Sequence, residues 1–350
     1  MITTGSWKAR PYQEDDEKGI AELATSVYPD MTSDEFLKLW QRKYMASPKG
    51  FVSWIAEVDG RIVGHYGSLI VAARLVGRNI LTSQAVDAFT NPQWRQKGVF
   101  VGLGLKLLQD LSTKGVHITY GAPNKAAMPG HKRLSWKIFA KIPRYVLLLN
   151  SEKALKSYSG GKVKRFTLRI MSAMFSRPNR CVMMPNITIV PLEEGLPIIA
   201  SLWRRHMKDF QFSIERDEDY LSYRYPENNP RKYTILLKEN KGQVVAATVC
   251  GVSPTGIGQI NELFIESGKN EDAICILRGS VSYLRSLGCH TVEAIASTRI
   301  LRQIYRKVGF IKVSKMLLIV HSNDSEGARQ MNTLLNIDKM LFSLGDTDLA

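Results

Sequence analysis

Apolar and polar positions change period repeatedly along this chain. In the first half, Ile20 to Ala24 begins a helical stretch, and Ser33 to Tyr44 predicts a second helix capped by Ser33. Residues Phe51 to Val58 and Arg61 to Ile70 flank Asp59-Gly60 and predict a hairpin. Ser83 to Thr90 predicts a further strand. Phe100, Leu103, Leu107 and Leu111 then recur at helical spacing and line one face. Val116 to Tyr120 predicts a strand, Ala126 to Leu134 a short helix, and Tyr145 to Leu149 a closing strand.

After Pro191 the same order returns. Leu196 to Phe210 predicts a helix, and Tyr233 to Lys238 pairs with Gln243 to Val252 around Asn240-Lys241-Gly242. Gln259 to Ile265, Asp272 to Leu287, Thr291 to Ala296, Ile300 to Val308 and Ile311 to Val320 alternate strand and helix. The repeated order implies an internal duplication within an α/β (α+β) chain. The expected division is 1–150, a basic linker 151–185, a second unit 186–325 and a tail 326–350.

Composition narrows the function. Hydrophobic residues make up 44% and charged residues 23%, which supports ordinary globular cores in a 350-residue chain. Cys181, Cys250, Cys275 and Cys289 are scattered without C-x-x-C spacing, which argues against a zinc site and for a reducing compartment. No apolar run reaches membrane-spanning length, and Met1 to Arg10 lacks the core of a signal peptide, so the cytoplasm is expected. The net charge of +16 favours anionic partners. No nucleic-acid-binding signature accompanies it, so no specific nucleic acid is expected. Residues 150–180 hold eight Lys or Arg and one Glu. Within them 162–180 is either covering for apolar surface or a peripheral contact with anionic membrane.

The densest chemistry lies in Asp87 to Phe100. It predicts a strand, a basic turn with Arg95, Gln96 and Lys97, and a helix starting at or just after Gly98. Backbone N–H groups, a helix dipole and two cations then converge where a diphosphate would be held. Arg95-Gln96-Lys97-Gly98-Val99-Phe100 resembles the Gln/Arg-x-x-Gly-x-Gly/Ala signature of the GNAT superfamily of acyl-CoA N-acyltransferases, with Phe100 in place of a small residue. Asn124, Ala127, His131, Ser135 and Trp136 keep the spacing of a second GNAT motif, with His131 where tyrosine is common and Ser135-Trp136 for Gly-Phe. Tyr305 to Phe310 resembles the end of that motif in the second half. The preceding loop there, Glu266 to Asp272, lacks the phosphate signature and carries three acidic residues. The chain as a whole resembles tandem GNAT proteins, with an acyl-CoA-binding first unit and a degenerate second one.

The resemblance implies two units, each with a mixed, mainly antiparallel sheet flanked by helices. It implies acetyl-CoA or a related acyl-CoA as co-substrate, with no metal, and a small-molecule amine as acceptor. An amino sugar of surface polysaccharide biosynthesis is the specific acceptor it brings forward. Arg95, Gln96, Lys97, Gly98, Val99 and Phe100 would hold the diphosphate. Ala88, Phe89 and Thr90 would offer backbone groups to the pantetheine and thioester, and Asn124 would bond the pantetheine or orient His131. His131 would protonate the departing sulfur, since an imidazole titrates near pH 6.5. Asp87 and His65 are the candidate bases for the acceptor amine. Asp346 and Asp348 belong to a frayed acidic tail or recognise the acceptor. Two alternatives stand beside the enzyme: a GNAT-like protein that binds coenzyme A without catalysis, and a basic membrane- or nucleic-acid-associated module.

Overall fold

The computed structural model describes residues 6–157, 186–333 and 337–347. The basic stretch 162–180, Cys181 and Asp348 lie outside the described residues. Two compact units emerge: Met1–Lys141 with Leu317–Leu335, and Ile142–Met316 with Asn336–Ala350. This differs from the division expected from sequence. Residues 142–150 belong to the second unit, and 317–335 return to the first. Two long strands cause the difference, because each begins in one unit and ends in the other.

The first unit runs β1 (Lys8–Pro11), α1 (Asp16–Thr25), α2 (Ser33–Trp40), β2 (Phe51–Val58), β3 (Arg61–Leu75), β4 (Arg78–Thr90), α3 (Val99–Thr113), β5 (Ile118–Gly121) and α4 (Met128–Arg133). The cap of α2 is Thr32, not Ser33. Its hydroxyl accepts from the Glu35 amide while the Glu35 carboxylate takes the Thr32 amide, a reciprocal capping box. A π-helical turn, Gln41–Met45, follows α2.

Strands β1 to β4 form an antiparallel meander, and β4 pairs with β5 in parallel. Residues 319–322 pair with β5, antiparallel. Helix α3 covers one face because Leu103, Leu107 and Leu111 recur at helical spacing; all three are fully buried against Val52, Tyr66 and Trp136. The opposite face buries Ile20, Phe36, Trp40 and Phe89.

In chain order the remaining elements are β6 (Lys137–Leu148), α5 (Ser151–Ser157), β7 (Ile187–Val190), α6 (Leu192–His206), β8 (Phe212–Ile214), α7 (Glu218–Arg224), β9 (Lys232–Asn240), β10 (Gln243–Val252), β11 (Ile257–Ile265), α8 (Asn270–Ser286), β12 (Thr291–Ile295), α9 (Arg299–Val308), β13 (Ile311–Ser322), α10 (Ser325–Asn332) and β14 (Met340–Leu341). In the second unit β7, β9, β10 and β11 are antiparallel neighbours, and β11 pairs with β12 in parallel. Residues 144–148 pair with β12, antiparallel. Each unit therefore carries a parallel strand pair joined through one helix, β4–β5 through α3 and β11–β12 through α8, beside antiparallel neighbours. That is the repeated order read from the sequence.

Residues 337–347 are not frayed. Strand β14 adds in parallel to β8, and Asp346 is fully buried in an ion pair with Arg216 at 2.7 Å. Asp346 thus has a structural partner, which removes it as a recognition group for an acceptor. No described helix is long and apolar enough to cross a membrane.

Candidate active site

The site of the first unit is built where β4 parts from β5. The two strands pair only from Thr82–Ile118 to Gln84–Tyr120. Beyond Gln84, β4 runs on to Thr90 while β5 stops at Gly121. Ala88, Phe89 and Thr90 lie on this unpaired side, and unpaired backbone groups there are available to a ligand.

A β-bulge sets the direction of that segment. His65 faces Phe89 and Gly67 faces Val86, so Asp87 and Ala88 together oppose the single residue Tyr66. Asp87 takes a left-handed φ of 49°. Its conformation is held from two sides. The His65 ring bonds the Asp87 carbonyl through Nδ1 at 2.7 Å, and its Nε2 lies 2.8 Å from the Ser53 hydroxyl. Nδ1 must carry the hydrogen to donate to a carbonyl, so the Ser53 hydroxyl donates to Nε2. The Asp87 carboxylate accepts from Lys43 Nζ at 3.0 and 3.1 Å and from the Tyr44 hydroxyl at 2.9 Å.

These contacts change the part expected of both candidate bases. His65 is buried, its two ring nitrogens are committed, and burial pushes its pKa down to about 3. Asp87 is an ion-pair partner with only 11% of its side chain exposed. Both residues shape the bulge: His65 has no free ring nitrogen, and the Asp87 charge is already paired with Lys43. Sequence spacing gives no sign of this, because the Lys43 and Tyr44 partners come from a π-helical turn more than forty positions earlier.

The turn after β4 has the local shape expected of it, a strand end followed by a basic turn and a helix start at Gly98. Asn91 starts a short 3-10 turn (Pro92–Trp94), its side chain accepting from the Gln93 amide. Gln96 at φ 64° and Gly98 at φ 79° are both left-handed. Gly98 caps α3 without a side chain, leaving the first amides of the helix, Val99, Phe100 and Val101, directed out of its N-terminus. Arg95, Gln96, Lys97 and Gly98 are exposed. Lys97 rests on the Trp94 ring at 4.2 Å, and the Trp7 indole donates to the Lys97 carbonyl at 2.9 Å, which fixes the turn from behind.

Phe100 departs from the small residue usual in the GNAT motif, and α4 compensates for it. A Cβ placed on Gly130 would lie 2.4 Å from the Phe100 ring. Gly130→Ala should therefore destabilise the chain by about 1–3 kcal/mol, although alanine normally stabilises a helix interior by about 1 kcal/mol over glycine. In a double-mutant cycle, Phe100→Ala should cancel most of that loss. Urea midpoints of the four proteins check the sign.

His131 lies on the same side, 5% exposed, among Phe100, Tyr66 and Trp136. Its Nδ1 is 3.3 Å from the Tyr66 hydroxyl. Burial pushes its pKa down to about 4, so only about one molecule in a thousand carries the imidazolium at pH 7. A cationic acid is therefore not what the fold provides; a neutral imidazole beside a phenol is. Tyr66, whose own ionisation burial pushes up, carries no motif that marks it for chemistry in the sequence. Nor does His321, brought beside Trp136 at 5.7 Å by the returning strand. Asn124 is exposed and its side chain accepts from the Ala127 amide at 2.9 Å, so it shapes the turn into α4. Among the described residues, no three His, Cys, Asp or Glu side chains gather as a metal site.

The two buried histidines make a pH prediction. Both fold neutral, with pKa values of about 3 and about 4, below the unfolded value near 6.5. The unfolded chain then binds more protons than the native one as pH falls below about 6.5. Stability is full above that value and is lost on acidification, by up to about 1.4 kcal/mol per pH unit for each histidine. Urea titrations between pH 7 and 5 should show a shallower pH slope for His131→Phe than for the unaltered chain.

Comparison with known proteins agrees with this geometry. Residues 8–139 match the family described as acetyltransferase (GNAT) domain. No curated protein sequence matches the chain. Among solved structures, a probable N-acyltransferase from Enterococcus faecalis superposes with a TM-score of 0.67 at 10% identity, covering 92% of this chain and 74% of that one. A GCN5-related N-acetyltransferase from Anabaena variabilis gives 0.66 at 11% identity, with 92% and 74% covered. The Saccharomyces cerevisiae N-myristoyltransferase with bound myristoyl-CoA gives 0.64 at 11%, with 91% and 83% covered. At these identities the structures establish a shared fold. The first unit carries a GNAT acetyltransferase domain. The protein is accordingly an acyltransferase whose co-substrate is an acyl-CoA.

Proposed function

We propose that this protein transfers an acetyl group from acetyl-CoA to a primary amine. The observation that carries the reading is the turn 95–98. Two left-handed residues open the N-terminus of α3, and Arg95 and Lys97 stand exposed beside it. A diphosphate satisfies those amides and cations together. The pantetheine would then run along the unpaired backbone at Ala88 to Thr90, and an amide there would stabilise the oxyanion.

The reaction is direct. The amine nitrogen bonds to the thioester carbonyl carbon, the C–S bond breaks, and the thiolate takes a proton. That proton is the one the amine gives up, relayed through water, with the Tyr66 hydroxyl and the neutral His131 imidazole as hydrogen-bonding groups beside its path. Trp136 and Phe100 fill space around His131, which favours a short acyl group. With His65 and Asp87 committed, water is the remaining carrier for the ammonium proton. An amino sugar is one acceptor to assay among primary amines.

Thiol release from acetyl-CoA in the presence of an amine panel tests this reading. Turnover above the hydrolytic background, lost in Arg95→Glu/Lys97→Glu, is the expected result. A second reading, coenzyme A binding without catalysis, is favoured by the commitment of both candidate bases. It predicts the same binding and no amine-dependent thiol.

A further inference from the structure

Four consecutive residues of β3, Gly64-His65-Tyr66-Gly67, lie directly across the sheet from the end of β4. Gly64 faces Thr90, His65 faces Phe89, Tyr66 faces the bulge at Asp87 and Ala88, and Gly67 faces Val86. Successive positions of a strand point to opposite faces. Gly64 and Tyr66 accordingly meet the α3 side, where Val99 and Leu103 pack, while His65 and Gly67 meet Trp40 and Tyr44 on the α2 side.

Each of the four holds a different part of the site. A Cβ on Gly64 would overlap the side chain of Val99, the first residue of α3, so the bare glycine lets the helix start sit close against the sheet. The Tyr66 hydroxyl meets His131. His65 ties the Asp87 carbonyl to Ser53. Gly67 leaves room for the Tyr44 hydroxyl, which a Cβ there would overlap, and that hydroxyl donates to the Asp87 carboxylate at 2.9 Å. Tyr44 is buried and stacks on Trp40 at 3.8 Å. The π-helical turn Gln41–Met45 brings Lys43 and Tyr44 to the same carboxylate. Two uncommon backbone conformations, that turn and the left-handed Asp87, therefore meet at one side chain. Both kinds concentrate at working sites.

We propose that Gly64-His65-Tyr66-Gly67 is the positioning segment of the donor site, and that its two glycines govern different steps of acyl transfer. Gly64, through Val99 and the start of α3, sets the affinity for the acyl donor. Gly67, through Tyr44 and Asp87, fixes the direction of the bulge backbone and so sets the rate of transfer. The proposal rests on the placement of acetyl-CoA given above, with the diphosphate at 95–98 and the thioester along Ala88 to Thr90. A contact made equally before and during reaction acts on KM, whereas one made only in the transition state acts on kcat. Opposite faces of one strand then separate the two quantities.

Thiol release at varied acetyl-CoA, with calorimetric titration of acetyl-CoA on the same full-length proteins, makes the test. Tyr44→Phe removes one hydroxyl and keeps the ring. It should lower kcat about tenfold or more while changing the acetyl-CoA dissociation constant less than about threefold. Gly67→Ala, which displaces the same hydroxyl, should follow it. Gly64→Ala should instead weaken acetyl-CoA about tenfold, with the smaller part of its effect on kcat, and Val99→Ala added to it should return the space and most of the affinity. Urea midpoints identify a glycine variant that does not fold. Tyr44→Phe then stands for Gly67→Ala, and Val99→Ile, which crowds the Gly64 gap by one methylene, stands for Gly64→Ala with a loss of affinity of about threefold. An unaltered chain that binds no acetyl-CoA, or binds it without amine-dependent thiol release, defeats the acetyl-transfer reading and this proposal with it. An active unaltered chain in which Tyr44→Phe keeps its kcat, or in which variants on the two faces change KM and kcat in the same proportion, overturns this proposal alone.

Discussion

Gly98→Glu should abolish measurable acetyl-CoA binding while leaving the chain folded. Gly98 is exposed and sits at φ 79°, and a Cβ added there would meet no atom within 4 Å, so bulk alone causes no clash. Two costs remain. A left-handed conformation costs a residue with a Cβ about 1–2 kcal/mol; the free turn relieves that strain by leaving the conformation, and binding must restore it. The new carboxylate meets the diphosphate at short range, where a unit charge pair near a protein surface is worth about 4 kcal/mol. Together they weaken binding on the order of 100-fold or more. Gly98→Ala carries the strain without the charge and should lose only about tenfold. Calorimetric titration of both variants, with circular dichroism as a control, checks the order. Equal affinities for all three proteins would mean that the diphosphate is held elsewhere.

Arg216→Met should be the most damaging single change to the second unit. Arg216 is fully buried. Its guanidinium donates to the Ile214 carbonyl at 2.7 Å, to Asp346 at 2.7 Å, to Ser343 at 3.2 Å and to Glu262 at 3.3 Å. Glu262 also accepts from the Tyr225 hydroxyl at 3.1 Å. Burial pushes the Glu262 pKa up, with Arg216 opposing it and Asp346 adding to it. Without the cation, two carboxyl groups share an apolar interior, and removing one partner of a buried pair costs about 3–5 kcal/mol. The midpoint of urea unfolding should fall accordingly. The compensated variant Arg216→Met/Glu262→Leu/Asp346→Leu should recover part of the loss, since well-packed apolar groups often replace a buried ion cluster without penalty. A loss below about 1 kcal/mol in Arg216→Met would show that the cluster is solvated or dispensable.

The strands, the helices and the phosphate turn are legible in the sequence because their signals are local. Alternation at Phe51 to Val58, helical spacing from Leu103 to Leu111 and the basic turn before Gly98 each depend on neighbours in sequence. What is not legible depends on contacts far along the chain. His65 reads as a possible base because nothing nearby in sequence shows Ser53 and the Asp87 carbonyl closing on its two nitrogens. His131 reads as an acid near neutrality because two of the rings that bury it, Tyr66 of β3 and Phe100 of α3, come from elements distant in sequence. Asp346 reads as a tail residue because its partner lies 130 positions away. The unit boundary is misplaced for the same reason: β6 and β13 look like ordinary strands, and only pairing reveals that each contributes residues to both units.

One titration bears most directly on the central claim, that the first unit alone holds the acyl donor through the amides and cations around Gly98. Acetyl-CoA added to the full chain in a calorimeter should bind at one site per chain, and Arg95→Glu/Lys97→Glu should remove that site. Two equivalent sites, no heat of binding, or full affinity in the charge-reversed variant would contradict it.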